Sequence, residues 1–174
     1  MRGGFLVGVL DVTTTELADE LVGGVLSAGP DRLEAAGVVG LPQVVSLGAL
    51  DMVNFGPRDT VPAQFEHRTL YVHNPTVTLM RTTAEECGLL GREIGRKLSA
   101  ALGPTALYVP LAGISMIAMA GQPFHDPAAD EALLAGLREA LDPRIEVHEL
   151  ATDINDPAFA VAMANRLHEL IEAR

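Results

Sequence analysis

Apolar residues recur along this chain in two alternating rhythms, short continuous runs and longer stretches spaced by three or four. The run Gly4 to Leu10 predicts a first strand, ending at Asp11 and the threonines Thr13 to Thr15. "TTTELADELVGGVLSAG" then sets Leu17, Leu21 and Val25 at helical spacing behind a threonine cap and early acids, which predicts a helix. Val44 to Leu47 and Arg68 to Asn74 predict two further strands, each bounded by Pro, Gly or Asn. From Thr82 to Leu102 the spacing of Leu89, Ile94 and Leu98, stopped by Gly103-Pro104, predicts a long amphipathic helix. "TALYVPL" is a strand, and "DPAADEALLAGLREALD" is a helix with Leu133, Leu134, Leu137 and Leu141 as its stripe. "RIEVHEL" is a strand, and a last helix starts near Asp156.

Strands alternating with helices imply right-handed β-α-β units and an α/β fold whose mainly parallel sheet is covered on both faces. At 174 residues, 48% of them hydrophobic, the chain suits one well-cored domain over 1–174. No pair of strands reads as a hairpin. Leu50 to Glu66 reads as a long loop of functional character.

Ligands of open parallel sheets bind at the carboxyl ends of the strands, and the segments after the five expected strands are chemically loaded. They carry Asp11, Thr13, Thr14, Thr15, Asp51, Asn54, His73, Asn74, Thr78, Arg81, Ser115, His125 and Asp153. The opposite turns, "SAGPDRLEAAG", "LGPT" and "LDPR", read as connectors. Plainer roles compete: the threonines as a helix cap, Asp51 and Asn54 as Asx turns, Asp126 and Asp156 as helix caps. Arg81, at a helix start where it opposes the dipole, calls for either a bound carboxylate or phosphate or an internal bridge to Asp11 or Asp51. Gly48 reads as a site of close backbone approach.

The formal charge of −11 and isoelectric point near 4.7 argue against nucleic acid, because the 12 basic residues are scattered. No apolar run is long enough for a membrane span, and the N-terminal run meets an acid too soon for a signal peptide, so a cytoplasmic location is expected. The single cysteine, Cys87, permits no internal disulfide and reads as a packed structural thiol. Phosphate-loop glycine patterns and metal motifs of the H-E-x-x-H kind are absent, so no dedicated metal site is expected, while a Mg²⁺ held through water by Asp11 or Asp51 stays open. A triad of Ser115, His125 or His73, and Asp51 lacks the G-x-S-x-G elbow. High hydropathy for an acidic domain, and the stretch "GISMIAMAG", raise a further option: an assembly module, giving a homo-oligomer.

Five stretches, "LDVTTTELADELVGGV", "VVSLGALDMVNFGP", "HNPTVTLMRTT", "GQPFHDPAAD" and "INDPAFA", together resemble the Tm-1-like ATP-binding family, also called uncharacterised protein family 0261. The resemblance runs from about Gly8 to Leu170. It implies a three-layer, doubly wound Rossmann-like fold and the second of two such halves. It further implies ATP with Mg²⁺ as ligand, held chiefly with the N-terminal half as partner. Asp11, Thr13, Thr14, Thr15, Asp51, Asn54, His73, Asn74, Arg81, Thr82 and Ser115 would then face an interdomain cleft for nucleotide or a small anionic ligand. The alternatives are the assembly module without its own ligand, or a small-molecule hydrolase with His73 or His125 as general base.

Overall fold

A computed structural model describes residues 3–174. In chain order its elements are β1 (Val9–Thr13), α1 (Glu16–Val22), α2 (Ala35–Val38), β2 (Gln43–Gly48), β3 (Met52–Phe55), β4 (Leu70–Asn74), β5 (Val77–Arg81), α3 (Ala84–Ser99), β6 (Thr105–Pro110), α4 (Pro127–Ala140), β7 (Glu146–Leu150) and α5 (Pro157–Glu172). Four strands form a parallel sheet in the order β1-β2-β6-β7. Because the order advances one way, right-handed crossovers place α1 to α4 on one face. The strands' alternation shows it: Val45, Leu47, Leu107 and Val109 pack with Leu17, Ile94, Leu98 and Leu133, whereas Val44, Ala106 and Tyr108 pack with Phe159 and Met163 of α5. The result is the three-layer, Rossmann-like α/β architecture, with helices covering both faces.

The first strand begins later than its apolar run. It starts at Val9, whose N–H finds the Pro42 carbonyl at 2.9 Å, and it carries Asp11 and Thr13 within it. The expected loop at Leu50 to Glu66 instead holds β3 and two short 3₁₀ turns, Arg58–Thr60 and Ala63–Phe65. The stretch Arg68 to Asn74 does not join the parallel sheet either. Its β4 forms a hairpin with β5, and β3 pairs with β5 from the other side in an antiparallel sheet, β3-β5-β4. The hairpin turn is built by Asn74, whose Oδ1 accepts from the Thr76 N–H at 2.9 Å.

Helix signals are realised in local chemistry. Thr83 and Glu86 form a reciprocal capping box at the start of α3, and the Asp126 and Asp156 carboxylates accept amides of the first turns of α4 and α5. On α3, Ile94 and Leu98 are buried as expected, but Leu90 takes the inward place and Leu89 is exposed. The α3 and α4 backbones meet closely through glycines. A Cβ on Gly91 would lie 2.1 Å from the Leu133 carbonyl oxygen, and one on Gly136 would lie 2.2 Å from that of Gly88.

Helix propensity alone would favour Gly136→Ala by about 1 kcal/mol. Because the clash is with backbone that yields only if the helices separate, the substitution is expected to destabilise the protein by about 2 kcal/mol in urea unfolding. A stabilised variant would disprove the close packing.

Candidate functional site

The polypeptide leaves β2 through a tight passage. A Cβ on Gly48 would lie 2.4 Å from both the Val12 carbonyl oxygen and Ile154 Cδ1, so the close approach expected there is made by the chain itself. Ala49 follows at φ 59°, a left-handed conformation uncommon outside glycine, and donates its N–H to the Ile114 carbonyl at 2.8 Å. This turn delivers Asp51 into the interior with no exposure to solvent. The Ser115 hydroxyl donates to Asp51 Oδ2 at 2.7 Å and accepts from the Ala118 N–H at 3.1 Å, while Asp51 Oδ1 has no partner among the described residues. Asp51 and Asn54 make no Asx turn.

Arg81, at the end of β5, is only 6% exposed. Its Nη2 donates to Asp130 Oδ1 at 2.7 Å and its Nη1 to Thr82 Oγ1 at 3.1 Å, and its Nε has no partner among the described residues. The bridge therefore runs to an acid in the first turn of α4, not to Asp11 or Asp51. Thr82 donates its hydroxyl to the Leu50 carbonyl at 3.0 Å and its N–H to that of Asp51 at 3.1 Å. Thus Asp51, Arg81, Thr82 and Ser115, from three separate strand ends, form one buried polar cluster. Burial pushes the carboxyls of Asp51 and Asp130 above their usual range, against the opposing pull of hydrogen bonds and of Arg81. Cys87 packs beneath Thr82, and burial pushes its thiol up as well.

A second cluster gathers Asn54 and Thr15 around Asp19. Asp19 accepts from the Asn54 N–H at 2.8 Å and from Nδ2 at 2.7 Å, and Asn54 Nδ2 also donates to Thr15 Oγ1 at 3.0 Å. Burial raises the Asp19 carboxyl, with Asn54 opposing. No threonine caps α1 through its side chain: Thr15 reaches the Met52 carbonyl and buried Thr14 that of Ser46. Asp11 takes Arg32 in a bidentate pair at 2.6 and 2.8 Å, and Arg32 also donates to the Thr13 carbonyl at 3.1 Å. The hydrogen bonds from Asp11 hold the Arg32 guanidinium still higher than usual. His73 and Asn74 sit exposed at the hairpin tip; Asn74 pairs with Val77, four residues along β5 from Arg81, roughly 13 Å at the rise of a strand.

Sequence reasoning missed Asp19, Arg32 and Asp130. Asp130 and Asp19 carried only the signal of early acids in a helix, and Arg32 lay in a stretch read as a connector.

Beside the first cluster, at the carboxyl end of β6, lies a hollow of about 270 Å³ lined by Ala112, Gly113, Ala118, His125, Asp130 and Glu131 among others. Asp130 is its shared wall with Arg81. His125 Nδ1 lies 3.4 Å from the Ala118 carbonyl, whereas the Ser115 hydroxyl is committed to Asp51, so the three make no relay. Among the described residues no three His, Cys, Asp or Glu side chains cluster to hold a metal ion, and no helix is long and apolar enough to cross a membrane.

Residues 1–171 match the family described as the C-terminal domain of uncharacterised protein family UPF0261. The chain belongs to that family. It is 53% identical over 173 residues to a UPF0261 protein of Clostridium tetani, covering 99% of this chain and 43% of that protein. A UPF0261 protein of Rhizobium meliloti is 50% identical over 91% of this chain and 40% of its own length. The tomato ToMV resistance protein Tm-1 is 41% identical over 98% of this chain and 23% of its length. The UPF0261 chain thus spans about two fifths of the bacterial relatives it matches.

The raised Asp51 carboxyl has a measurable consequence. Over the interval from its ordinary value of 3.8 up to the raised one, the native state keeps a proton that the unfolded chain releases. Its contribution to stability is therefore lost as pH rises through that interval. Asp51→Asn keeps an acceptor for Ser115 and removes the titration. In urea unfolding from pH 4 to 7 the variant is expected to gain on the wild type as pH rises; a constant difference would refute the assignment.

Proposed function

We propose that this UPF0261 chain supplies one wall of an interdomain cleft that binds a nucleotide or another small anionic ligand, the N-terminal half of the polypeptide supplying the other. The observation that carries this reading is the pair of buried Arg81 with half-buried Asp130, opening through Asp130 onto the hollow at the strand ends. Asp51, Thr82 and Ser115 position the pair from behind. Thr13 and Thr15 lie at the carboxyl end of β1, while Asp11 is held by Arg32 in mid-strand and Asn54 by Asp19 in the second cluster.

A triphosphate is not matched by this wall alone. Arg81 is already engaged by Asp130, and the first amides of α4 by Asp126. In this reading the donors for phosphate belong to the N-terminal half, Mg²⁺ arrives with the nucleotide, and this chain contacts the ligand through His125, Asp130 and the Ala112-Gly113 backbone.

The test is a thermal-shift titration with ATP and Mg²⁺, and with small carboxylates, on this chain and on a chimera joining it to the N-terminal half of the Clostridium tetani relative. The chimera is expected to be stabilised and the lone chain not. His125→Ala and Asp130→Asn in the chimera are each expected to weaken binding about tenfold, equal to about 1.4 kcal/mol. Unchanged affinity in both variants would end the proposal.

A further inference from the structure

The two edges of the parallel sheet are treated differently. On β7, Glu146 is paired with Arg166 and with His148, and Glu149 with Arg138, so that edge is blunted by charge. On β1 the one charged side chain, Asp11, is neutralised by Arg32, and β1 pairs with β2 on one side and with no other strand among the described residues. Since the Val9 N–H turns to the Pro42 carbonyl, the alternation of a parallel ladder turns the N–H of Leu10 outward, whereas at Val12 the register shifts and its carbonyl lies against Gly48 of β2.

The surroundings of this edge mix exposed apolar side chains with Asp11, Asp31, Arg32 and Gln43. Phe5 is 92% exposed, Val7 65% and Leu10 39%. A cleft of about 470 Å³ runs between β1 and the segment carrying Arg32, floored by Leu10, Leu33 and Ala36. An unpaired strand edge beside such a surface is the geometry of strand addition, in which backbone hydrogen bonds hold the added strand and pockets take its alternate side chains.

We propose that the β1 edge and its cleft are where the N-terminal half of the same polypeptide docks, by adding a strand to the parallel sheet. This rests on the two-half reading above and identifies the surface that joins the halves. In the bacterial relatives the matched region is the C-terminal domain and more than half of the protein lies outside it. The preceding half reaches this domain through the segment aligned with residues 3–8, which leads directly into β1, and such a tether gives it a high effective concentration at this edge. A second copy of the chain is disfavoured by the net charge of −11 that each copy carries. The groove between α1 and α3 has a similarly mixed lining, with Glu20, Glu93 and Lys97, but it lies between helices and offers no strand edge.

The test is residue-resolved amide hydrogen exchange, without nucleotide, on the intact Clostridium tetani relative and on this chain. The amide aligned with Leu10 is expected to exchange about 100-fold more slowly in the intact relative than in the chain. Equal rates would overturn the proposal. So would protection confined to the α1–α3 groove at Leu21 and Leu89, or concentration-dependent protection of Leu10 in the chain alone, which would make the occupant a second copy. Because no ligand is present, a protected edge in a protein that fails to bind nucleotide would leave this interface standing and remove the ligand reading, and the converse would do the opposite.

Discussion

Arg81 is the fastening on which the rest of the site depends. It closes β5, precedes the cap of α3 and reaches α4 through Asp130, so one guanidinium links the antiparallel sheet to two of the helices that cover the parallel one. Away from water such a charge is tolerable only with a partner, and stripping one member from a buried pair typically costs about 3–5 kcal/mol. Asp51 stands nearby as a second acid. Burial pushes its carboxyl up, as it does that of Asp130, against the pull of the Arg81 charge.

That fastening holds only if α4 lies where its first turn can meet β5. The glycines of α3 and α4 set this distance, since side chains at Gly91 or Gly136 would force the two backbones apart. Ser115 completes the arrangement by joining the loop after β6 to Asp51, and the Ala49–Ile114 hydrogen bond joins the same loop to the end of β2. The strained turn at Ala49 is thus held from two sides, as backbone of this kind must be to persist. Packing between helices, far from the strand ends, is what places the polar groups there.

Membership of UPF0261 gives this geometry a context. The chain accounts for about two fifths of its bacterial relatives, and its polar strand ends and bare β1 edge are two surfaces that a single domain has little reason to maintain. They belong to different parts of the molecule, one built of buried charge and one of exposed apolar surface and backbone. In the reading proposed above, ligand contact and docking of a second half fall on these two different surfaces.

The sequence by itself determined the α/β class, the parallel strands, the long helices and the caps at Asp126 and Asp156, because these follow from local periodicity and from hydrogen bonds between near neighbours. It also singled out Asp51, Arg81 and Ser115, since polar residues after apolar runs stand out in any single chain, while Thr82 came in only with the family resemblance. It did not show that Arg68 to Asn74 would turn back on β5, as an apolar run carries no mark of the sheet it will join. Nor did it show the partners: Asp130 lies 49 residues from Arg81, Ser115 64 from Asp51, and Arg32 21 from Asp11. Those pairings, and the exposure of His73 and Asn74 at a hairpin tip, were decided by tertiary structure, because which charge meets which depends on how helices and sheets pack and not on spacing along the chain.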